Sequence, residues 1–147
     1  MKPVVSLRHE FVEYIPSDLK DGTIYVSMTF ATAVHKCCCG CGNEVVTPLS
    51  PTDWKLIFDG VLITLHPSIG NWSFYCQSHY FIRRNQVIWA PKWSQEKIAI
   101  GRARDRSAKQ RYFETADTSP DYTPQERLGN YKEKKSFWRS LIKWLAK

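Results

Sequence analysis

Cys37, Cys38, Cys39 and Cys41 crowd into five positions of the stretch AVHKCCCGCGNEVV, and Cys76 follows further along the chain. No other feature constrains the fold as strongly. Neighbouring cysteines lack the Cα separation and Cβ directions that a disulfide needs. The N-terminus, MKPVVSLRHEFVEY, shows no apolar stretch with a small-residue cleavage site. The expected compartment is therefore the reducing cytoplasm, where disulfides are rare. A soft tetrahedral ion such as zinc resolves the crowding. Two ligand sets satisfy it. In the first, the odd spacing of Cys37, Cys39 and Cys41 points them to one face of an extended chain. Gly40 and Gly42 let the backbone close round a small ion, Cys76 is the fourth ligand, and Cys38 points away. In the second, Cys38 and Cys41 form a Cys-x-x-Cys pair completed by Cys76 and a histidine. Without metal the same residues would be a cluster of buried thiols. A redox Cys-x-x-Cys usually opens a helix within a βαβ pattern, whereas the flanks here read as strands. Three or four thiolates make zinc a poor Lewis acid, so a closed, structural site is expected.

The surrounding chain reads as short strands. HEFVEYIP and GTIYVSMTFATAVHKC are β-like, with SDLKDG a turn between them. The second alternates around Ile24, Val26, Met28 and Phe30, as a half-buried strand does. NEVVTPL is a short strand ended by Pro48. TDWKLIFDG and VLITLHPS pair across a turn at Asp59–Gly60, and SHYFIRR and QVIWAP across a turn near Asn85. After Pro91 the texture changes. Ser94 caps a helix through QEKIAIGRARDRSAKQRYFE, TADTSPDYTPQE reads as a linker, and KEKKSFWRSLIKWLAK as an amphipathic helix. Of the 21 Lys and Arg residues, seven lie in residues 1–91, balanced by seven acids. The net charge of +7 thus belongs wholly to residues 92–147. The expected class is mainly β (α+β): a small antiparallel β domain organised around a structural zinc site, residues 1–93. Basic C-terminal helices follow over residues 94–147, with a linker near 115–126. No run of 18 apolar residues marks a membrane span.

With zinc in a structural role, chemistry must come from elsewhere. LHPSIGNW holds Ser68 between Pro67 and Ile69–Gly70, and CQSHYF holds His79 three residues after Cys76. A serine becomes a nucleophile beside a neutral imidazole, and a metal-tethered Cys76 would hold His79 rigidly. Gly70 and the nearby backbone offer N–H groups to a developing oxyanion. The bland alternatives are a turn serine and a core or metal-bound histidine. Ser78 competes with Ser68, although adjacent strand residues face opposite ways. His35 is a ligand, base or surface candidate. Glu44 and Asp53 are candidate acids to orient a histidine, although such residues are more often exposed. Trp72, Tyr80 and Trp89 are candidate groove walls or core residues.

Three ordered motifs, CCCGCG at 37–42, PSIGNW at 67–72 and CQSHYF at 76–81, resemble a family of small bacterial proteins. That family, BubE, is encoded in bacterial ubiquitination-like (Bub) operons tied to phage defence. The resemblance spans roughly residues 10–95. It implies a serine protease of deubiquitinase type that trims a ubiquitin-like precursor or removes the modifier from targets. Ser68 would be the nucleophile, His79 the base, and Cys37, Cys39, Cys41 and Cys76 the zinc ligands. Family members with proline at the position matching Cys38 imply that Cys38 is not a ligand. Asn43 stands where the family pattern has an acid, with Glu44 one residue later. The implied partners are the ubiquitin-like substrate and its activating and conjugating enzymes.

The alternative is a non-catalytic zinc module that binds a protein partner or nucleic acid through its basic C-terminal half. Lysine-rich helices are commonly solvated faces, and the neutral residues 1–91 carry the chemistry, so nucleic acid is not the favoured partner. The amphipathic tail is suited to self-docking or a protein partner ahead of a membrane surface.

Overall fold

The computed structural model describes residues 3–117. Residues 118–147, including the amphipathic segment and most of the expected linker, lie outside the described residues. Eight short strands form two four-stranded sheets, mostly antiparallel. The first sheet has the order β1 (Arg8–Phe11), β2 (Thr23–Ser27), β3 (Thr32–Lys36) and β4 (Glu44–Pro48). The second is a meander of β5 (Lys55–Phe58), β6 (Ile63–Gly70), β7 (His79–Arg83) and β8 (Gln86–Trp89). Helix α1 (Gln95–Asp117) follows. The compact unit bearing both sheets runs through Arg106.

Turn chemistry sets the second sheet. Asp59 Oδ1 accepts from the N–H groups of Val61 and Leu62 at 3.0 and 2.8 Å, closing the β5–β6 turn. Arg84 and Asn85 both take the left-handed conformation, φ 47° and 63°, at the β7–β8 turn. Ser94 caps α1 as expected, its Oγ accepting from Lys97 N–H at 3.3 Å. Ile98 is buried, and Gly101 lies under Trp93.

Two features differ from the sequence reading. The single strand expected to run through Met28 and Phe30 is a hairpin. The chain turns over residues 28–31, leaving Met28 and Phe30 exposed. Their apolar character extends the alternation past the point where the backbone reverses. In addition, β1 pairs parallel with β2 within an otherwise antiparallel sheet, Arg8 opposite Thr23 through Phe11 opposite Val26. Residues 12–22 supply the crossover. Val12, Ile15 and Leu19 of that crossover pack on Tyr25 and Val34. This is why β2 is buried at every position.

The core lies where the sheets meet. Ile24, Val26, Ala33 and Val45 of the first sheet pack with Ile63, Leu65, Ile69, Tyr80, Ile82 and Val87 of the second. Residues ahead of β1 stitch the sheets together: Val87 N–H donates to Val5 O, and Leu7 N–H to Asn85 O, at 2.9 and 2.8 Å.

Candidate functional site

The cysteine stretch is a hairpin loop between β3 and β4, not an extended run. Cys37 N–H donates to Asn43 O at 2.7 Å, and Gly40 N–H to Cys37 O at 2.9 Å. Gly40 and Gly42 take φ of 82° and 80°, values that a side chain makes costly. Cys76 arrives from the β6–β7 loop. The Sγ atoms of Cys37, Cys39, Cys41 and Cys76 all lie within 4.8 Å of one another. Cys37 is 3.4 Å from Cys39 and 3.9 Å from Cys76, and Cys41 is 3.7 Å from Cys76. Metal–sulfur bonds of ~2.3 Å in a tetrahedron put sulfurs ~3.8 Å apart, so this donor set fits such an ion.

The electrostatics agree. Burial pushes the Cys37 and Cys39 thiols up, the neighbouring thiols adding to the effect at Cys39. Burial also opposes ionisation of Cys41, but hydrogen bonds from the Asn43 backbone and the neighbouring thiols outweigh it and bring it to about 7. Without a cation the raised thiols stay protonated, and a metal ion among the four sulfurs would favour their thiolate forms. Cys38 faces the other way. It is fully buried beside Tyr80, and burial lifts its thiol to about 12. The second ligand set, with Cys38 and a histidine, is not assembled.

His35 is also no part of the cluster. It is buried, with Nε2 2.8 Å from the Tyr80 hydroxyl, and burial lowers its pKa to about 4. Tyr80 is core rather than groove wall. Asn71 joins it to the cysteines, its Nδ2 lying 2.8 Å from Ser78 Oγ, 3.4 Å from Tyr80 Oη and 3.5 Å from Cys37 Sγ. Ser78 Oγ sits 3.1 Å from Cys37 Sγ. Ser78, immediately before β7, therefore faces the cysteine side, opposite to His79. Asn71→Ala is expected to lower unfolding free energy by about 2 kcal/mol, because buried partners lose their donor. Urea denaturation measures it.

On the opposite face, Ser68 and His79 meet. Four steps along β6 from Leu65 to Ile69 span only two along β7, from Ile82 to Tyr80. This bulge re-aims the segment that carries Ser68. Gly70 pairs with His79, so positions 68, 70 and 79 share a face. His79 Nε2 lies 3.0 Å from Ser68 Oγ, and Nδ1 lies 2.9 Å from the Pro91 carbonyl oxygen. A carbonyl only accepts, so Nδ1 carries the ring proton. The neutral ring then presents a bare Nε2 to the serine O–H. Among the described residues, the ring nitrogens meet Ser68 and the Pro91 carbonyl rather than a carboxylate; Glu44 is exposed on β4, and Asp53 accepts from Ser50 Oγ at 2.6 Å.

Aromatic rings wall this histidine. Trp72 lies 5.0 Å and Trp93 5.3 Å from its ring centroid, and the two indoles stack at 5.5 Å. His79 is only 5 % exposed. The indole of Trp72 rests across Gly70, where an added Cβ would meet ring atoms at 2.4 Å. Trp93 and the Pro91 carbonyl escape a reading of motifs. The first lies downstream of the strands, and the second is backbone.

The arrangement is a serine hydroxyl beside an oriented imidazole, on a β scaffold carrying a separate four-sulfur cluster. The chain belongs to the family described as the bacterial ubiquitination-like system serine protease (BubE), whose profile matches residues 11–90. No curated protein and no solved structure matches the chain significantly.

Proposed function

We propose that this chain is a serine peptidase that processes or deconjugates a bacterial ubiquitin-like protein. Ser68 is the nucleophile, His79 the general base and acid, and Cys37, Cys39, Cys41 and Cys76 hold a structural zinc ion. The observation that carries the reading is the 3.0 Å contact of Ser68 Oγ with a histidine whose tautomer the Pro91 carbonyl fixes. The family description supplies the reaction class and the pathway.

In the reaction, Ser68 Oγ attacks the scissile carbonyl while its proton passes to His79 Nε2. The tetrahedral species collapses, the C–N bond breaks, and His79 returns the proton to the departing amine. Water then adds to the acyl-enzyme, giving a proton to Nε2; the C–O bond to Ser68 breaks as His79 returns that proton to Oγ, and the carboxylic acid released ionises to a carboxylate. The indoles of Trp72 and Trp93 hold the imidazole in one plane and limit water around it. Cys37, Cys39, Cys41 and Cys76 would hold zinc, which when bound would cross-link the β3–β4 and β6–β7 loops. That cross-link anchors Cys76 three residues from His79.

The test is cleavage of a cognate ubiquitin-like precursor, read as a mass loss equal to its C-terminal extension. Wild type and Cys38→Ala are both expected to cut, which removes Cys38 as the nucleophile; a folded but inert Ser68→Ala then points to the serine oxygen. No cleavage by wild type would leave a non-catalytic interaction module instead. Gly70→Ala gives a second check. The new Cβ displaces the Trp72 indole, at about 1–3 kcal/mol of stability. Cleavage is expected to fall about ten-fold as the histidine loses its wall, measured as kcat/KM alongside urea denaturation.

A further inference from the structure

Strand β6 is eight residues long, but its neighbour β5 has only four and pairs with it from Ile63 to His66. Beyond His66, among the described residues, no strand lies along the side of β6 that faces away from β7. The hydrogen-bonding direction there follows from alternation in an antiparallel ladder. Asn71 N–H donates to Ser78 O on β7's side, and His79 O is taken by Ala90 N–H on β8's side. The pair between them, Gly70 opposite His79, is therefore the one that does not exchange hydrogen bonds. The N–H and C=O of Gly70 point out of the sheet edge, two residues from Ser68. The Trp72 indole walls the face above Gly70, so approach is along the edge.

Resting on the serine-peptidase reading above, we propose that the substrate's C-terminal segment binds as an added antiparallel strand on this open edge of β6. The ligand class is an extended peptide recognised by its backbone. One residue on the N-terminal side of the cut exchanges hydrogen bonds with Gly70 N–H and C=O, and the scissile carbonyl comes opposite Ser68. Strand addition of this kind uses main-chain bonds for affinity and alternate side chains for selectivity. The start of β5 sets the limit. Lys55 stands opposite His66, so a strand running antiparallel past Ser68 meets β5 within two positions. Few paired residues can follow the cut, which places it near the end of an extended tail.

The test is an N-methyl scan. Semisynthetic precursors of the ubiquitin-like protein carry one N-methyl amide each, at successive positions before the cut, and full-length wild-type enzyme cleaves them. Methylation at the residue paired with Gly70 is expected to lower kcat/KM about ten-fold or more, whereas its neighbours change about two-fold or less, giving a period of two. A flat profile, or equal loss at every position, with the unmethylated precursor still cut, overturns strand addition and leaves the peptidase reading standing. An unmethylated precursor that is not cut overturns both.

Discussion

Ser68→Ala is expected to lower kcat on a ubiquitin-like precursor by about a thousand-fold or more, with the protein folded and its thermal transition unchanged. The size of the effect follows from the mechanism. Without Oγ there is no acyl-enzyme, and His79 has no hydroxyl proton to accept. Ser68 is half-buried on the aromatic face, not in the core between the sheets, so removing its hydroxyl leaves the packing intact. Among the described residues its side chain bonds to His79, and that ring remains held at Nδ1 by Pro91. Circular dichroism with intact-mass analysis of the product mixture separates chemistry from folding. A variant that is folded and still cuts at the wild-type rate would remove Ser68 from the reaction.

Cys37→Ser is expected to have the largest effect on stability. Cys37 is buried where the β3–β4 loop meets the β6–β7 loop, within reach of Cys39, Cys76, Ser78 and Asn71. Removing one of the four sulfurs would open the proposed metal site and strand the remaining ligands. The expected loss is about 4 kcal/mol or more, on the order of 20 °C in Tm for a domain of this size. A strong chelator applied to wild type is expected to do the same, because ligand binding to the folded state is folding free energy. Elemental analysis should return one zinc per chain for wild type, and differential scanning calorimetry with and without chelator reads the coupling. Cys38→Ser makes the contrast. It perturbs the core beside Tyr80 but leaves the zinc content at one.

Much of this architecture is legible in the residues because its turns carry their own chemistry. Asp59–Gly60 and Arg84–Asn85 set two hairpins, and alternation correctly separates Ser78 from His79. The cysteine set was visible, but its backbone was not. Odd spacing fits an extended strand as well as the Gly40 and Gly42 turn that the chain adopts. The hairpin at residues 28–31 was hidden because Met28 and Phe30 are apolar yet exposed. The parallel β1–β2 pairing was hidden because its crossover contains no helix. At the candidate site, Ser68 and His79 belong to motifs, but what orients the histidine does not. The group at Nδ1 is a main-chain carbonyl, and the β6 bulge that re-aims Ser68 is a matter of register. Neither leaves a signature in side-chain identity.

The most direct measurement of the central claim is active-site labelling with a fluorophosphonate, followed by peptide mapping. A single adduct on the peptide containing Ser68 is expected in wild type and none in His79→Ala, whose thermal transition is compared with that of wild type. An adduct confined to a cysteine or to another serine, or a wild-type protein that cleaves its precursor yet leaves Ser68 unlabelled, would contradict it.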